Sequence, residues 1–270
     1  MKISGHWPFR QDDPEWRNLA MWDRDKVIET HRLGNSASVQ VAEDLLHRFP
    51  DGNTIRHEGC LITSLAMILR LLDRSKRGGL WTPAVLNAEA HELNYYTPAG
   101  LSMVPLYADI VTEVTGGEVQ MCAKEEYLSG TKGWPRTYAS TSWLVRAYRQ
   151  LSPGERGHFA VMLKTGTYDD TFASHYVLLD PDQPGSPDED DANILDPAMP
   201  LDAKRPWRLS DSAKFIRETE EDINVEWDKR KIQPLQLCGV WLFARWRTAS
   251  DRMLIEPIVT ALASEMKSKH

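Results

Sequence analysis

Three residues of this chain have the types that thiol chemistry needs. Cys60 follows a charged residue and a glycine in "HEGCLITSLAMIL" (57–69), directly before an apolar run. A cysteine reacts as the thiolate. A helix N-terminus favours that form, because unpaired N–H groups and the positive end of the dipole lie beside the sulfur. Gly59 permits close backbone approach by a substrate, and the Cys60 N–H can contribute to an oxyanion site. The segment by itself leaves a second reading open, since cysteine also starts core helices as a small buried hydrophobe. His175 opens the run "SHYVLLD" and has the chemistry of a general base beside a thiol. Asp196 closes "NILDPAM" and has the chemistry to hold an imidazole in one tautomer. Taken singly, a strand-end histidine is usually just solvated and an Asp-Pro usually just starts a turn. Taken together, the three describe a nucleophile, its base and an orienting carboxylate.

Such a set works only if distinct elements converge. Leu61, Leu65, Ile68 and Leu72 recur at i, i+4, i+7 and i+11, while Ile62, Ala66 and Leu69 fill a second stripe, which predicts a broad, mostly buried helix behind Cys60. "PDGNT" (50–54) before it is a turn. "TPAVLNAEAHEL" carries start chemistry, with Thr82 as N-cap and Pro83 at the first helical position. "LSMVPLYADIVTEVTG", interrupted by Pro105, and "SWLVRAYRQL" read as further helices. From His158 the texture changes to short runs rich in β-branched and aromatic residues: "HFAVMLK", "SHYVLLD", "ANILD" and "GVWLFARW". Helices followed by strands make an α+β chain with an antiparallel sheet. A hairpin of the second and third runs sets His175 and Asp196 side by side.

The motifs "GCLITSLAMIL", "HFAVMLK", "SHYVLLDP" and "NILDPAMP", followed by Trp207 in "RPWRLSD", together resemble the papain-like cysteine peptidases of the bacteriocin-leader-processing (double-glycine) type, especially their stand-alone members. The resemblance covers roughly residues 50 to 246. It implies the papain-like fold, with helices on one side, sheet on the other and the site in the cleft. It also implies Cys60 as nucleophile, His175 as base and acid, and Asp196 as the residue that orients His175. The departure lies upstream. Where the family usually carries a glutamine whose amide holds the oxyanion, this chain has Thr54, with Asn53 beside it as the nearest amide.

The implied organisation is an N-terminal extension and helix over 1–49, a peptidase domain over 50–247, and a C-terminal helix or tail over 248–270. A helix over "ASVQVAEDLLHRF" (37–49) belongs to the first part. Trp7, Trp16 and Trp22 make its arm rich in tryptophan, fit to dock across the domain or onto another protein. The net charge of −7 argues against a nucleic-acid partner. No run reaches the length of a membrane span, and the N-terminus lacks a signal-peptide pattern, so the chain is expected in the cytoplasm where it is made, with export left to a dedicated route. The three cysteines, Cys60, Cys122 and Cys238, show no disulfide or zinc spacing, and Cys122 and Cys238 read as inert core thiols. "DPDQPGSPDEDD" places Asp180, Asp182, Gly185 and Asp191 at calcium-loop positions, but with Pro184 and a terminal Asp against that use; it reads as a solvated acidic loop over the cleft. A zinc site of His57, Cys60 and His175 lacks metal-ligand spacing. "KFIRETEEDINVEWDKRK" reads as a charged helix or excursion.

The expectation is therefore a thiol hydrolase acting on a peptide or isopeptide bond of a peptide or protein substrate, as a bacterial or phage effector-type protease. No metal or organic cofactor is implied. A peptidoglycan amidase or endopeptidase on the same fold, an acyltransferase, and an inactive papain-like binding module remain open alternatives.

Overall fold

The computed structural model describes residues 7–21, 54–73, 80–93, 95–97, 100–101, 106–126, 138–166, 174–200, 205–211, 236–246 and 248–267, with isolated positions between 25 and 47. The elements in chain order are α1 (Ile55–Glu58), α2 (Cys60–Leu72), α3 (Pro83–Glu92), β1 (Tyr96–Thr97), β2 (Gly100–Leu101), α4 (Leu106–Val114), β3 (Val119–Glu126), α5 (Trp143–Gln150), α6 (Pro153–Arg156), β4 (Phe159–Gly166), β5 (Ser174–Leu179), β6 (Asn193–Leu195), β7 (Trp207–Arg208), β8 (Gln236–Arg245) and α7 (Ala249–Lys267). The helix expected over 37–49, the segment 214–231, Trp22 and Pro105 lie outside the described residues, apart from single positions in the first of these.

The chain is α+β around one six-stranded sheet of order β3-β8-β4-β5-β6-β7, with every pair of neighbours antiparallel. Strand alternation sends Ala160, Met162, Tyr176, Leu178, Trp241 and Phe243 into one core, shared with α2. Their neighbours Val161, Leu163, Val177, Leu179, Val240 and Leu242 enter a second core with Leu144, Val145 and Tyr148 of α5 and Ile255 of α7. Both faces of the sheet are thus covered, which is why its strands are continuously apolar rather than alternating. This corrects the expected split of helices to one side: α5 and α7 occupy the other.

The first half also contributes a strand. β3 pairs along its length with β8, interrupted by an irregularity between Met121 and Ala123. Gly116 and Gly117, both at positive φ, end the preceding helical run, but "VQMCAKEE" mixes apolar and polar residues and does not by itself announce a strand. Start chemistry is easier to read. The Thr82 hydroxyl accepts from Val85 N–H at 3.2 Å at the start of α3, and Ser142 does the same for Val145 at 3.1 Å at the start of α5.

The arm over 7–21 docks onto the domain. Phe9, Trp16 and Met21 are buried in the same core as α2, and the Phe9 and Trp16 rings meet edge to face at 5.6 Å. Trp7 stays 40% exposed. Of the two fates open to the arm, docking across the domain is therefore the one seen for these residues.

Candidate active site

Cys60 is the first residue of α2, but it does not begin the helical course of the chain. The single turn of α1 precedes it, and Gly59 joins the two, its N–H donating to the Ile55 carbonyl at 2.8 Å and its own carbonyl accepting from Thr63 N–H at 2.9 Å. Cys60 nevertheless opens α2, with Gly59 at its N-cap, as the sequence pattern implies. The first N–H groups of α1 are taken by carbonyls of the arm: Ile55 donates to Leu19 O at 3.1 Å and Arg56 to Arg17 O at 3.0 Å. Gly59 is required by space. A Cβ there would lie 2.2 Å from the Ile55 carbonyl oxygen.

Behind Cys60, α2 is buried almost throughout from Leu61 to Leu72. One turn on, the Ser64 hydroxyl donates to the Tyr176 carbonyl at 3.0 Å. This bond ties the turn after the nucleophile to the residue after His175, and so sets how α2 seats against β5. His175 itself is fixed along the sheet, opposite Thr165, whose hydroxyl donates to the His175 carbonyl at 3.2 Å.

Asp196 directly follows β6 and is fully buried. Its Oδ1 lies 2.6 Å from His175 Nε2 and also accepts Ala198 N–H at 2.8 Å, while its carbonyl accepts Met199 N–H at 3.1 Å. The Asp-Pro turn thus clamps the carboxylate from both its side chain and its backbone. An ionised carboxylate only accepts, so Nε2–H is the donor, and this leaves Nδ1 for the hydrogen bond that His175 makes with Cys60. The three residues singled out in the sequence are therefore brought together, with the imidazole between sulfur and carboxylate. Cys60 is half-buried and unbonded to other cysteines, and the His175 side chain is 11% exposed.

The electrostatics follow from that order. Burial pushes the His175 imidazole down, but the Asp196 charge and hydrogen bond, with Cys60 behind them, outweigh it and raise it to about 10. An imidazole so held keeps its proton at neutral pH, as the cationic partner of a thiolate does. By contrast, burial pushes the Cys122 thiol up to about 12, where its Sγ donates to Leu242 O at 3.3 Å. Burial likewise raises Cys238, with Lys164 partly offsetting it. These two thiols sit on β3 and β8.

Asn53 lies outside the described residues. An amide nonetheless stands near the nucleophile helix: Gln11 Nε2 donates to the Arg56 carbonyl at 2.9 Å. The same residue's N–H donates to the Pro197 carbonyl at 2.9 Å, so Gln11 touches both the segment before Cys60 and the segment after Asp196. Arg10 beside it is buried, and its charge is attracted by Asp196. Burial lowers the guanidinium to about 10, Asp196 opposing that and Arg205 adding to it. Neither Arg10 nor Gln11 stands out in "WPFRQDDPEW", where a lone cation and an amide read as ordinary surface residues. Ser64 is visible only as a polar residue on a buried helix, a signal that a backbone carbonyl must be near it.

The acidic loop is corrected in place and character. β5 and β6 pair Leu178 with Leu195 and Leu179 with Ile194, which puts His175 and Asp196 at one end of the hairpin and residues 180–192 at the other. Five residues of strand separate His175 from Asp180, about 16 Å at 3.3 Å per residue. The loop therefore does not cover the candidate site. It is also internally tied: Arg149 donates to Pro184 O at 2.9 Å, Glu189 O at 2.7 Å and Asp191 O at 2.5 Å. Arg205 pairs with Asp180, whose Oδ1 also accepts Asp182 N–H at 3.0 Å, and Gly185 takes a φ of 88° that favours glycine. Among the described residues no group of three or more His, Cys, Asp or Glu is placed to hold a metal ion, and no helix is long and apolar enough to cross a membrane.

Compared with family models, curated proteins and solved structures, the chain matches none of them.

Proposed function

We propose that this chain is a thiol hydrolase that cleaves an amide bond, peptide or isopeptide, through a covalent thioester on Cys60. The observation that supports this best is the imidazole of His175, held on one side by a buried carboxylate at 2.6 Å and hydrogen-bonded on the other to a half-buried cysteine at the head of α2. The resemblance of the four motifs to papain-like cysteine peptidases points the same way.

In this reading His175 stands as the imidazolium partner of the Cys60 thiolate, holding the proton that the thiol has given up, and the sulfur attacks the substrate carbonyl. The oxyanion of the tetrahedral intermediate is met by backbone N–H at Cys60, with a side-chain amide as second donor; Asn53 is the sequence's candidate, and Gln11, whose Nε2 donates to the Arg56 carbonyl ahead of Cys60, is a second. His175, now protonated through Nδ1, gives its proton to the leaving amine and the C–N bond breaks. Water attacks the thioester with His175 as base, the carbonyl–sulfur bond breaks, and the acid is released with Cys60 regenerated. Asp196 holds the ring throughout and stabilises its charged form. The proposed class is an effector-type protease acting on a protein.

A peptide electrophile tests the reading. Stoichiometric labelling of Cys60 near neutral pH, lost in His175→Ala, is the expected outcome. Labelling that ignores His175 overturns it in favour of an inactive peptide-binding module. Release of fragments from cell-wall sacculi, abolished by Cys60→Ala, moves the substrate class from proteins to peptidoglycan.

A further inference from the structure

The arm grips α1, the turn that leads into Cys60, at several points. Ala20 bridges Thr54, Ile55 N–H donates to Leu19 O and Arg56 N–H to Arg17 O. Arg56 is held again through its carbonyl, which accepts Gln11 Nε2 at 2.9 Å, and its guanidinium lies 3.3 Å from Asp12. That last pair is exposed and adds little. Gln11 also reaches the opposite side of the site: its N–H donates to Pro197 O at 2.9 Å, and Pro197 directly follows Asp196. One residue thus bonds with its side chain to the segment one helical turn ahead of the nucleophile, and with its main chain to the residue after the carboxylate.

Gln11 stands on a preformed turn rather than on a loose tail. Trp16 Nε1 donates to Arg10 O at 2.6 Å, and Trp16 N–H and Arg17 N–H donate to Asp13 O at 3.1 and 2.8 Å. Phe9 and Trp16 are buried in the core that α2 shares. Such anchoring is what holding a reacting group to within about 0.5 Å requires. The amide is held by its donor side, because Gln11 Oε1 is buried and meets no donor among the described residues. With the bonds already described, these contacts close a ring through the triad. Ser64 ties α2 to β5, β5 pairs with β6, the Asp-Pro turn follows β6, and Gln11 returns from that turn to α1, which Gly59 joins to α2.

We propose that Gln11 is a positioning residue that clamps the site: it fixes the segment leading into Cys60 against the turn bearing Asp196, and so sets how closely the sulfur meets the imidazole that Asp196 holds. The inference rests on the Cys60–His175–Asp196 reading and adds to it that the arm sets the separation on which the triad depends. Attraction between thiolate and imidazolium weakens as they part, so opening the clamp moves the acid limb of Cys60 reactivity to higher pH. The charged groups around the sulfur are His175 of β5 and, behind it, Asp196 after β6, which Arg10 of the arm and Arg205 before β7 accompany. A neutral replacement of Gln11 alters none of them, so a displaced limb reports geometry rather than charge.

The test is the pH profile of Cys60 alkylation by iodoacetamide, read on the Cys60 peptide by mass spectrometry, using the full chain. Gln11→Met keeps the length of the side chain and the N–H bond to Pro197 but removes the donor to Arg56. It is expected to move the acid limb upward and slow alkylation there by roughly fivefold, the equivalent of one hydrogen bond, with the rates converging at high pH. A residue that serves stability alone scales the rate equally at every pH, and that result overturns the proposal. Gln11→Glu, of the same shape but with no N–H when ionised, must displace the limb as well; a profile like the parent's shows that packing suffices and also overturns it. This variant carries the test should Gln11→Met fail to fold by circular dichroism. Alkylation forms no oxyanion. An unchanged alkylation profile with weakened binding of a peptide aldehyde therefore makes Gln11 an oxyanion donor and not a clamp. His175→Ala separates the two levels of inference. If it leaves Cys60 alkylation unchanged, the triad reading fails; if it flattens the profile while Gln11→Met leaves it in place, Gln11 alone is misassigned.

Discussion

Asp196→Asn reverses the sign of the pH dependence that His175 gives to stability. In the parent the folded imidazole is raised to about 10 from an ordinary 6.5, against the burial that would lower it. Below 6.5 both folded and unfolded chains hold the proton, and the contribution is fully present. Between 6.5 and about 10 only the folded chain holds it, so stability falls as pH rises and the contribution is gone above that window. At about 1.4 kcal/mol per pH unit, the ceiling on this loss is on the order of 5 kcal/mol. The amide introduced by the substitution keeps the size of the side chain but removes the charge. Burial is the largest single influence on His175, and in the variant only Cys60 remains to oppose it. The folded imidazole then falls below 6.5, and stability rises with pH up to that value and is flat beyond it. Urea unfolding of both proteins under reducing conditions, at about pH 6 and about pH 9, measures the difference, since all other titrations are common to the pair. Parallel profiles, with the same change in unfolding free energy between the two pH values, would refute the reasoning.

Three further outcomes are expected. Ser64→Ala removes the buried bond from α2 to the Tyr176 carbonyl and should cost about 1 kcal/mol in urea unfolding while slowing Cys60 labelling, because the helix loses its seat against β5. Gly59→Ala places a Cβ 2.2 Å from a backbone oxygen, so the α1–α2 junction must move; a loss of about 2 kcal/mol or more is expected, with Cys60 labelling falling in the fraction that stays folded. Arg149→Met frees three loop carbonyls and should lower stability by about 2 to 3 kcal/mol, yet leave the pH profile of Cys60 labelling in place, since the acidic loop lies at the far end of the hairpin.

The legible parts of this chain are those where local chemistry and tertiary placement agree. The apolar stripes of α2, the Thr82 cap and the four apolar runs of the second half announce their elements because burial and capping act over a few residues. β3 is hidden because its strand character comes from pairing with β8, more than a hundred positions later, rather than from its own alternation. The acidic loop shows the limit in another way. Its composition is plain, but its distance from the site depends on which end of a hairpin it closes, and the register of Leu178 with Leu195 decides that.

The sequence by itself determined the chemistry on offer: a cysteine at the head of an apolar helix, a histidine at a strand mouth and an aspartate before a proline. Residue type and local spacing carry that much, since nucleophile, base and carboxylate are properties of single side chains. Only the tertiary structure decided that the three meet, that Gly59 joins two helical turns with no room for a side chain, and that Gln11 of the arm lies against the segments bearing Asp196 and Cys60. The physical reason is range. Coulomb attraction and hydrogen bonding act over a few ångströms of space, and which residues fall within that reach of Asp196 is set by how the arm, α2 and the hairpin share one core.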